Sequence, residues 1–185
     1  MAQRKYLTRK EIDALIAATK TSAYPERDRC MIEICFRHGL RVSELVNLQI
    51  TDISLSDKTI YIQRLKNGFS TIQPLIHTEI VALERWLACR RHWRDASSAR
   101  LFLSRNGGSL TRQYVYKLLK NWGMEAGITV AVHPHMLRHS CGYALADLGA
   151  DTRLIQDYLG HRNIRHTVIY TASNAERFKG VWRER

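Results

Sequence analysis

Hydrophobic residues along this chain recur every three or four positions except in one stretch, residues 58–75, KTIYIQRLKNGFSTIQPL. There KTIYIQ alternates with strong β formers, Asn67-Gly68 supplies a tight turn, and FSTIQPL resumes the strand. A period of two in one place and 3.6 elsewhere admits few architectures. The expectation is a mainly α fold with a small antiparallel β-sheet (α+β), whose hairpin carries Lys66 just before its tip.

The helical segments carry their own boundaries. LTRKEIDALIAAT opens with Thr8 and has Glu11 three residues on, a capping box, and Ile12, Leu15 and Ile16 then share a face. ERDRCMIEICFRHG reads as a second helix with Gly39 as its left-handed stop, and Ser43 is the expected cap of the short SELVNL helix. Helical spacing returns in TEIVALERWLACRRHW, TRQYVYKLLKNWGMEA, PHMLRHSCGYALADLG, TRLIQDYLG and IRHTVIYTAS, before a last segment, AERFKGVWR. RLFLS, ahead of the Asn106-Gly107-Gly108 turn, reads as a short strand. With no internal repeat, low-complexity tract or linker, the 185 residues are expected to form one domain.

Charge narrows the partner. Lys and Arg number 29 against 17 Asp and Glu, a formal +12, which favours a polyanion. An anionic membrane is the weaker choice, because no helix sets a broad apolar face against an unbroken basic one. No apolar run approaches the ~20 residues of a membrane span, and MAQRKYLTRKEI is polar throughout. The expectation is a soluble, cytoplasmic, nucleoid-associated protein. Cys30, Cys35, Cys89 and Cys141 include no C-x-x-C pair, so thiols rather than disulfides are expected.

VHPHMLRHSCG, residues 132–142, packs three histidines, an arginine and a cysteine together. Helical spacing sets His135, Arg138 and His139 on one face, where they could hold a phosphate. His135 and His139 could also share a metal, but His133 precedes the helix and no second ligand pair follows. No metal is therefore expected, and no cofactor. Elsewhere GLRVSEL contains a loop Arg41, and LGH exposes His161 nine residues before Tyr170. Singly, such an arginine is usually a solvated surface group and such a tyrosine usually core.

In order, these residues form a set: Arg41, Lys66 eight residues before Pro74, His135-x-x-Arg138, His161, then Tyr170. The set resembles the tyrosine recombinase (phage integrase) family from about Tyr6 to the C-terminus, and most of all its short fimbrial phase-variation members. The resemblance implies a catalytic set of Arg41, Lys66, His135, Arg138, His161 and Tyr170, with Glu44 supporting Arg41 and His139 supporting or structural. It implies cleavage and rejoining of DNA through a 3′-phosphotyrosine, with inversion of a short promoter segment as the outcome. The two arginines would grip the non-bridging phosphate oxygens in place of a divalent cation. Lys66 would protonate the leaving 5′-oxygen, and His135 or a water would take the tyrosine proton. The ester stores the bond energy, so rejoining would need no ATP.

Other readings are a DNA-binding regulator that has lost the chemistry, and a type IB topoisomerase-like enzyme. Retention of all six positions speaks against the regulator. Full-length members carry a further N-terminal helical domain, and nothing in residues 1–185 corresponds to it. A single catalytic domain of the short kind is expected, acting on double-stranded DNA with inverted-repeat sites and aided by accessory DNA-bending proteins. Phe178, Val181 and Trp182 would share one face of a terminal helix. In the family such a helix docks on a neighbour within a cyclic tetramer, and packing in cis is the alternative. Arg112, Lys117 and Lys120 lie on the helix that approaches DNA in the family. They are expected either as DNA contacts or as a solvated face.

Overall fold

The computed structural model describes residues 4–65, 68–172 and 174. Their order is α1 (Arg9–Ala18), α2 (Pro25–Arg37), α3 (Val42–Asn47), β1 (Ile53–Ser54), β2 (Thr59–Ile62), β3 (Thr71–Pro74), α4 (His77–Arg90), α5 (Arg112–Glu125), α6 (Pro134–Asp147), α7 (Thr152–Leu159) and α8 (Arg165–Ala172). The strands form one antiparallel sheet in the order β1-β2-β3, with Ile60 opposite Gln73 and Ile62 opposite Thr71. The α+β expectation holds. The hairpin tip with Lys66 and the segment with Phe178, Val181 and Trp182 lie outside the described residues.

Helix α2 is the hub. Cys30, Met31, Ile32, Ile34, Cys35 and Phe36 are all buried, and α2 packs against both α4 and α6. Apolar side chains cover all of it but one stripe, which carries Glu26, Arg29, Glu33 and Arg37. Thr8 caps α1 with Glu11 in the reciprocal bond pattern of a capping box. Gly39, at φ +56°, turns the chain out of α2 toward Arg41.

Two expectations fail. Arg41, not Ser43, is the cap residue of α3, because the Glu44 carboxylate accepts from the Arg41 amide at 2.9 Å and starts the helix two residues earlier. RLFLS forms no ladder among the described residues, only the isolated bridges Gln49–Arg100 and Leu103–Ser109. Its carbonyls are taken by side chains instead. Buried Trp86 donates Nε1 to Leu101 O at 3.0 Å. Buried Arg90 donates to the carbonyls of Leu101 (3.0 Å), Ala96 (2.9 Å), Ser98 (2.7 Å) and Arg100 (2.6 Å). One guanidinium thus does the work of a neighbouring strand.

The sheet inverts its pattern at β3, where Ile72 is exposed and Gln73 buried. Gln73 Nε2 donates to Tyr158 O at 2.8 Å and to Thr71 Oγ1 at 2.9 Å, so its Oε1 accepts from His38 Nδ1 at 2.7 Å. A buried amide with every partner supplied can replace an apolar side chain, and here it ties the sheet to the ends of α2 and α7.

Arg90→Met is expected to lower unfolding stability by about 3 kcal/mol, since it takes the donor from three part-buried carbonyls, those of Ala96, Ser98 and Arg100, while Leu101 O keeps Trp86. Urea denaturation measures this, and a loss below about 1 kcal/mol would mean that the loop rehydrates without strain.

Candidate active site

Four segments meet at one end of α2. Helix α6 starts at Pro134 after an extended His133 and carries His135, Arg138, His139 and Gly142 at spacings that keep them on adjoining faces. Arg138 is 2 % exposed, its guanidinium held by two main-chain carbonyls. Nη1 donates to Gly39 O, and Nη2 to Leu159 O at 2.7 Å. Burial, then the charges of Arg64 and Arg41, push its pKa down to about 10, so it stays a cation at neutral pH.

Arg41 opens α3 and donates Nη1 to Glu44 Oε1 at 2.6 Å, with 26 % of its side chain exposed. The other oxygen of Glu44 accepts from the fully buried Arg64 at 2.9 Å. Burial alone would raise the Glu44 carboxyl, but Arg64, the Arg41 amide and Arg138 outweigh it and hold the group below its ordinary value. One carboxylate therefore serves two guanidiniums.

Gly160, in left-handed conformation at φ +67°, ends α7 and delivers His161. Gln156 grips that residue at both backbone ends: its carbonyl accepts from His161 N at 3.0 Å, and its Nε2 donates to His161 O at 2.9 Å. The ring is 8 % exposed, with Nδ1 2.9 Å from Thr167 Oγ1. Burial, then Arg138 and Arg41, lower its pKa to about 3. The imidazole is neutral, and if the Thr167 hydroxyl donates to Nδ1, Nε2 carries the hydrogen.

Tyr170 lies on α8, 2 % exposed, its ring 6.4 Å from that of His161 and nearly parallel to it. Its hydroxyl is 3.0 Å from His139 Nδ1. Burial drives the phenol up to about 12 although Arg138 opposes the shift. Burial, then His135 and Arg138, bring His139 down to about 4, so it can accept the phenolic hydrogen at neutral pH. His135 is exposed, its ring edge-on to His139 at 4.4 Å, and it too is lowered by burial and by Arg138. The hydroxyl's partner is thus His139 rather than His135. Gly142 makes room for the ring: a Cβ there would sit 2.6 Å from Tyr170 Cζ.

Of the expected site residues, the structure brings Arg41, Glu44, Arg138, His139, His161 and Tyr170 into one cluster. His135 stands at its outer edge, and Lys66 is outside the described residues. Arg112, Lys117 and Lys120 are exposed on α5, whose Tyr116 stacks on His133 at 6.3 Å, beside the start of α6. Cys141 Sγ faces Arg37 O at 3.3 Å rather than the histidines. Sequence reasoning missed Arg64, Gly142, Gln156 and Thr167. Only Arg64 left a trace, since it shares the inward parity of Ile60 and Ile62 while carrying a charge.

A cluster of arginines and neutral imidazoles around a buried phenol, on this helical scaffold, has the charge to hold an anion beside a hydroxyl. The chain belongs to the phage integrase family, whose model matches residues 5–177. It is 54 % identical over 180 residues to the type 1 fimbriae regulatory protein FimB of Escherichia coli K12, covering 97 % of this chain and 90 % of that one. The type 1 fimbriae regulatory protein FimE of the same strain is also 54 % identical, over 183 residues, covering 98 % and 92 %. The crystal structure of the XerH site-specific recombinase bound to its difH substrate superposes with a TM-score of 0.79 at 27 % identity, covering 96 % of this chain and 53 % of that one. The chain thus spans about half of that recombinase.

The histidines set a pH dependence. The two pKa values, about 4 for His139 and about 3 for His161, lie below the unfolded value of about 6.5. Below pH ~6.5 the unfolded chain takes up protons that the folded one refuses, so stability is full above that pH and falls as pH drops toward 4. Thermal midpoints measured between pH 7.5 and 4 should decline, with a shallower slope in His139→Gln and His161→Gln. Equal slopes in all three proteins would contradict the buried neutral imidazoles.

Proposed function

We propose that this protein is a site-specific DNA recombinase of the tyrosine class, cleaving and rejoining DNA through a 3′-phosphotyrosine at Tyr170 without metal or ATP. Its biological task is inversion of a promoter segment that controls fimbrial genes, as its 54 % identity to FimB and FimE suggests. The observation that carries the chemistry is the Tyr170 hydroxyl resting on neutral His139 beside the Arg41–Arg138 cluster.

In the forward step Tyr170 Oη bonds to the scissile phosphorus and the bond to the 5′-oxygen breaks. The phenolic proton passes to a histidine, His139 in the resting contact or His135 at the outer face. Lys66 protonates the departing 5′-oxygen. Arg41 and Arg138 balance the charge on the non-bridging oxygens, which grows at the transition state, and His161 donates to one of them. A 5′-hydroxyl from the partner strand then displaces the tyrosine, restoring a phosphodiester with no net change in bond type. Since Tyr170 is 2 % exposed, it must move outward to reach a phosphate.

The chain acts as one catalytic domain on double-stranded DNA with inverted-repeat sites in the cytoplasm. It assembles there as a tetramer, with DNA-bending proteins assisting. Arg112, Lys117 and Lys120 add contacts to the DNA backbone.

The test is covalent trapping. Nicked duplexes with a randomised arm are incubated with the protein in EDTA without ATP, and SDS-resistant adducts are recovered and sequenced. Wild type should yield a preferred sequence, Tyr170→Phe no adduct, and Arg41→Ala a rate reduced roughly 10²–10³-fold. Tight binding without any adduct would make the protein a silent regulator. On the recovered duplex, replacing Lys117 and Lys120 by Ala should flatten the slope of log affinity against log salt by about 2, near 0.9 for each phosphate no longer neutralised. An unchanged slope would assign α5 to solvent.

A further inference from the structure

We infer that Arg64 is a positioning residue for the phosphate-gripping arginines, fixing Arg41 and Arg138 relative to one another through acceptors that it shares with each. The inference rests on the recombinase reading above. Arg64 follows β2 by two residues, and its side chain is fully buried. Nη1 donates to Glu44 Oε2 at 2.9 Å and to Gly39 O at 3.3 Å, and Nη2 to His38 O at 2.8 Å and Tyr158 O at 2.7 Å. Two of these acceptors belong equally to the site. Glu44 holds Arg41 through its other oxygen, and Gly39 O also accepts from Arg138.

The chain of contacts therefore runs Arg41–Glu44–Arg64–Gly39 O–Arg138, and Arg64 occupies its middle. Its fork spans the end of α2, helix α3 and the end of α7, the last only three residues before His161. No lysine can cover these directions, because a guanidinium is planar and its donors leave it at fixed angles. Two glycines border the stem. A Cβ at Gly160 would come 2.7 Å from Arg64 Cγ, and one at Gly68 would come 2.9 Å from Arg64 Cβ.

Stability alone is a poor reason for this residue. Burial lowers its own pKa in spite of Glu44, and its charge depresses that of Arg138. Buried ion pairs are often replaced by packed apolar groups without loss. What an apolar group could not supply is a common reference for two guanidiniums that must meet one phosphate at the same moment.

The experiment compares wild type, Arg64→Lys, Arg64→Met and Arg41→Ala in single-turnover adduct formation on the trapped nicked duplex. Each is also tested on the same duplex with a methylphosphonate at the scissile position, which removes the negative charge that the arginines balance. Thermal midpoint and DNA affinity are recorded for each protein. Positioning predicts that Arg64→Lys and Arg64→Met bind DNA like wild type but cleave the phosphodiester about 10–100-fold more slowly. The loss should shrink on the methylphosphonate for these variants and for Arg41→Ala alike, and Arg64→Met should cost much less in the Arg41→Ala background. If Arg64→Met does not fold, Arg64→Lys, which keeps the charge and the Glu44 pair, carries the comparison. Wild-type rates in Arg64→Lys, equal losses on both substrates, or additive losses in the double variant would each overturn the inference. Absence of any wild-type adduct would instead remove the recombinase reading beneath it.

Discussion

The carboxylate of Glu44 is the interaction on which the active-site end of the molecule depends. Cations taken out of water are costly, and a buried carboxylate with several donors is the least expensive way to keep them there. Glu44 accepts from the amide of Arg41, the guanidinium of Arg41 and the guanidinium of Arg64, and Leu65 N approaches it at 3.3 Å. The same group starts α3, aims Arg41 and ties the sheet's outgoing strand to the helices. Local helix formation and the geometry of the site are therefore one event, and neither is set without the other.

Around that carboxylate the environment works by holding groups uncharged. The guanidinium of Arg138 bonds to carbonyls, and the nearby Glu44 carboxylate offsets its charge only in part. His139 and His161 are kept neutral by burial and by that neighbouring charge, whereas Tyr170 keeps its proton through burial and against the charge. The resting site thus carries more positive charge than Glu44 balances, beside a phenol that burial keeps protonated. A phosphate bound there, as proposed, would supply negative charge. It would raise the basicity of nearby imidazoles just when the phenol must lose its proton.

How much of this was legible in the sequence depended on how local the cause was. The Thr8–Glu11 box, the Gly39 stop and the Pro134 start are decided within one turn of helix, and each was readable. The hairpin was visible because its period differs from the rest. The start of α3 was misread because the carboxylate that fixes it lies inside the helix rather than ahead of it. RLFLS looked like a strand because β formers do not announce that Arg90 will take their carbonyls. Within the site, resemblance to the family marked Arg41, Arg138, His161 and Tyr170, but could not show which histidine meets the tyrosine. His135 and His139 differ by one turn, and only the placement of α8 decides between them. Arg64 was overlooked because, Glu44 apart, its acceptors are main-chain oxygens up to 94 residues away.

Those main-chain partners have a consequence for how the protein tolerates change. Gly39 O, Leu159 O, His38 O and Tyr158 O hold the two buried guanidiniums, and no substitution can delete a carbonyl. The anchors are therefore invisible to any reading of side-chain identity, and drift at positions 38, 158 and 159 can leave them in place. Fragility is moved instead onto the two left-handed glycines, at φ +56° and +67°, that set the direction in which those carbonyls face. A lineage of such proteins could vary freely across its acceptors and still be held to the same two hinges, Gly39 and Gly160.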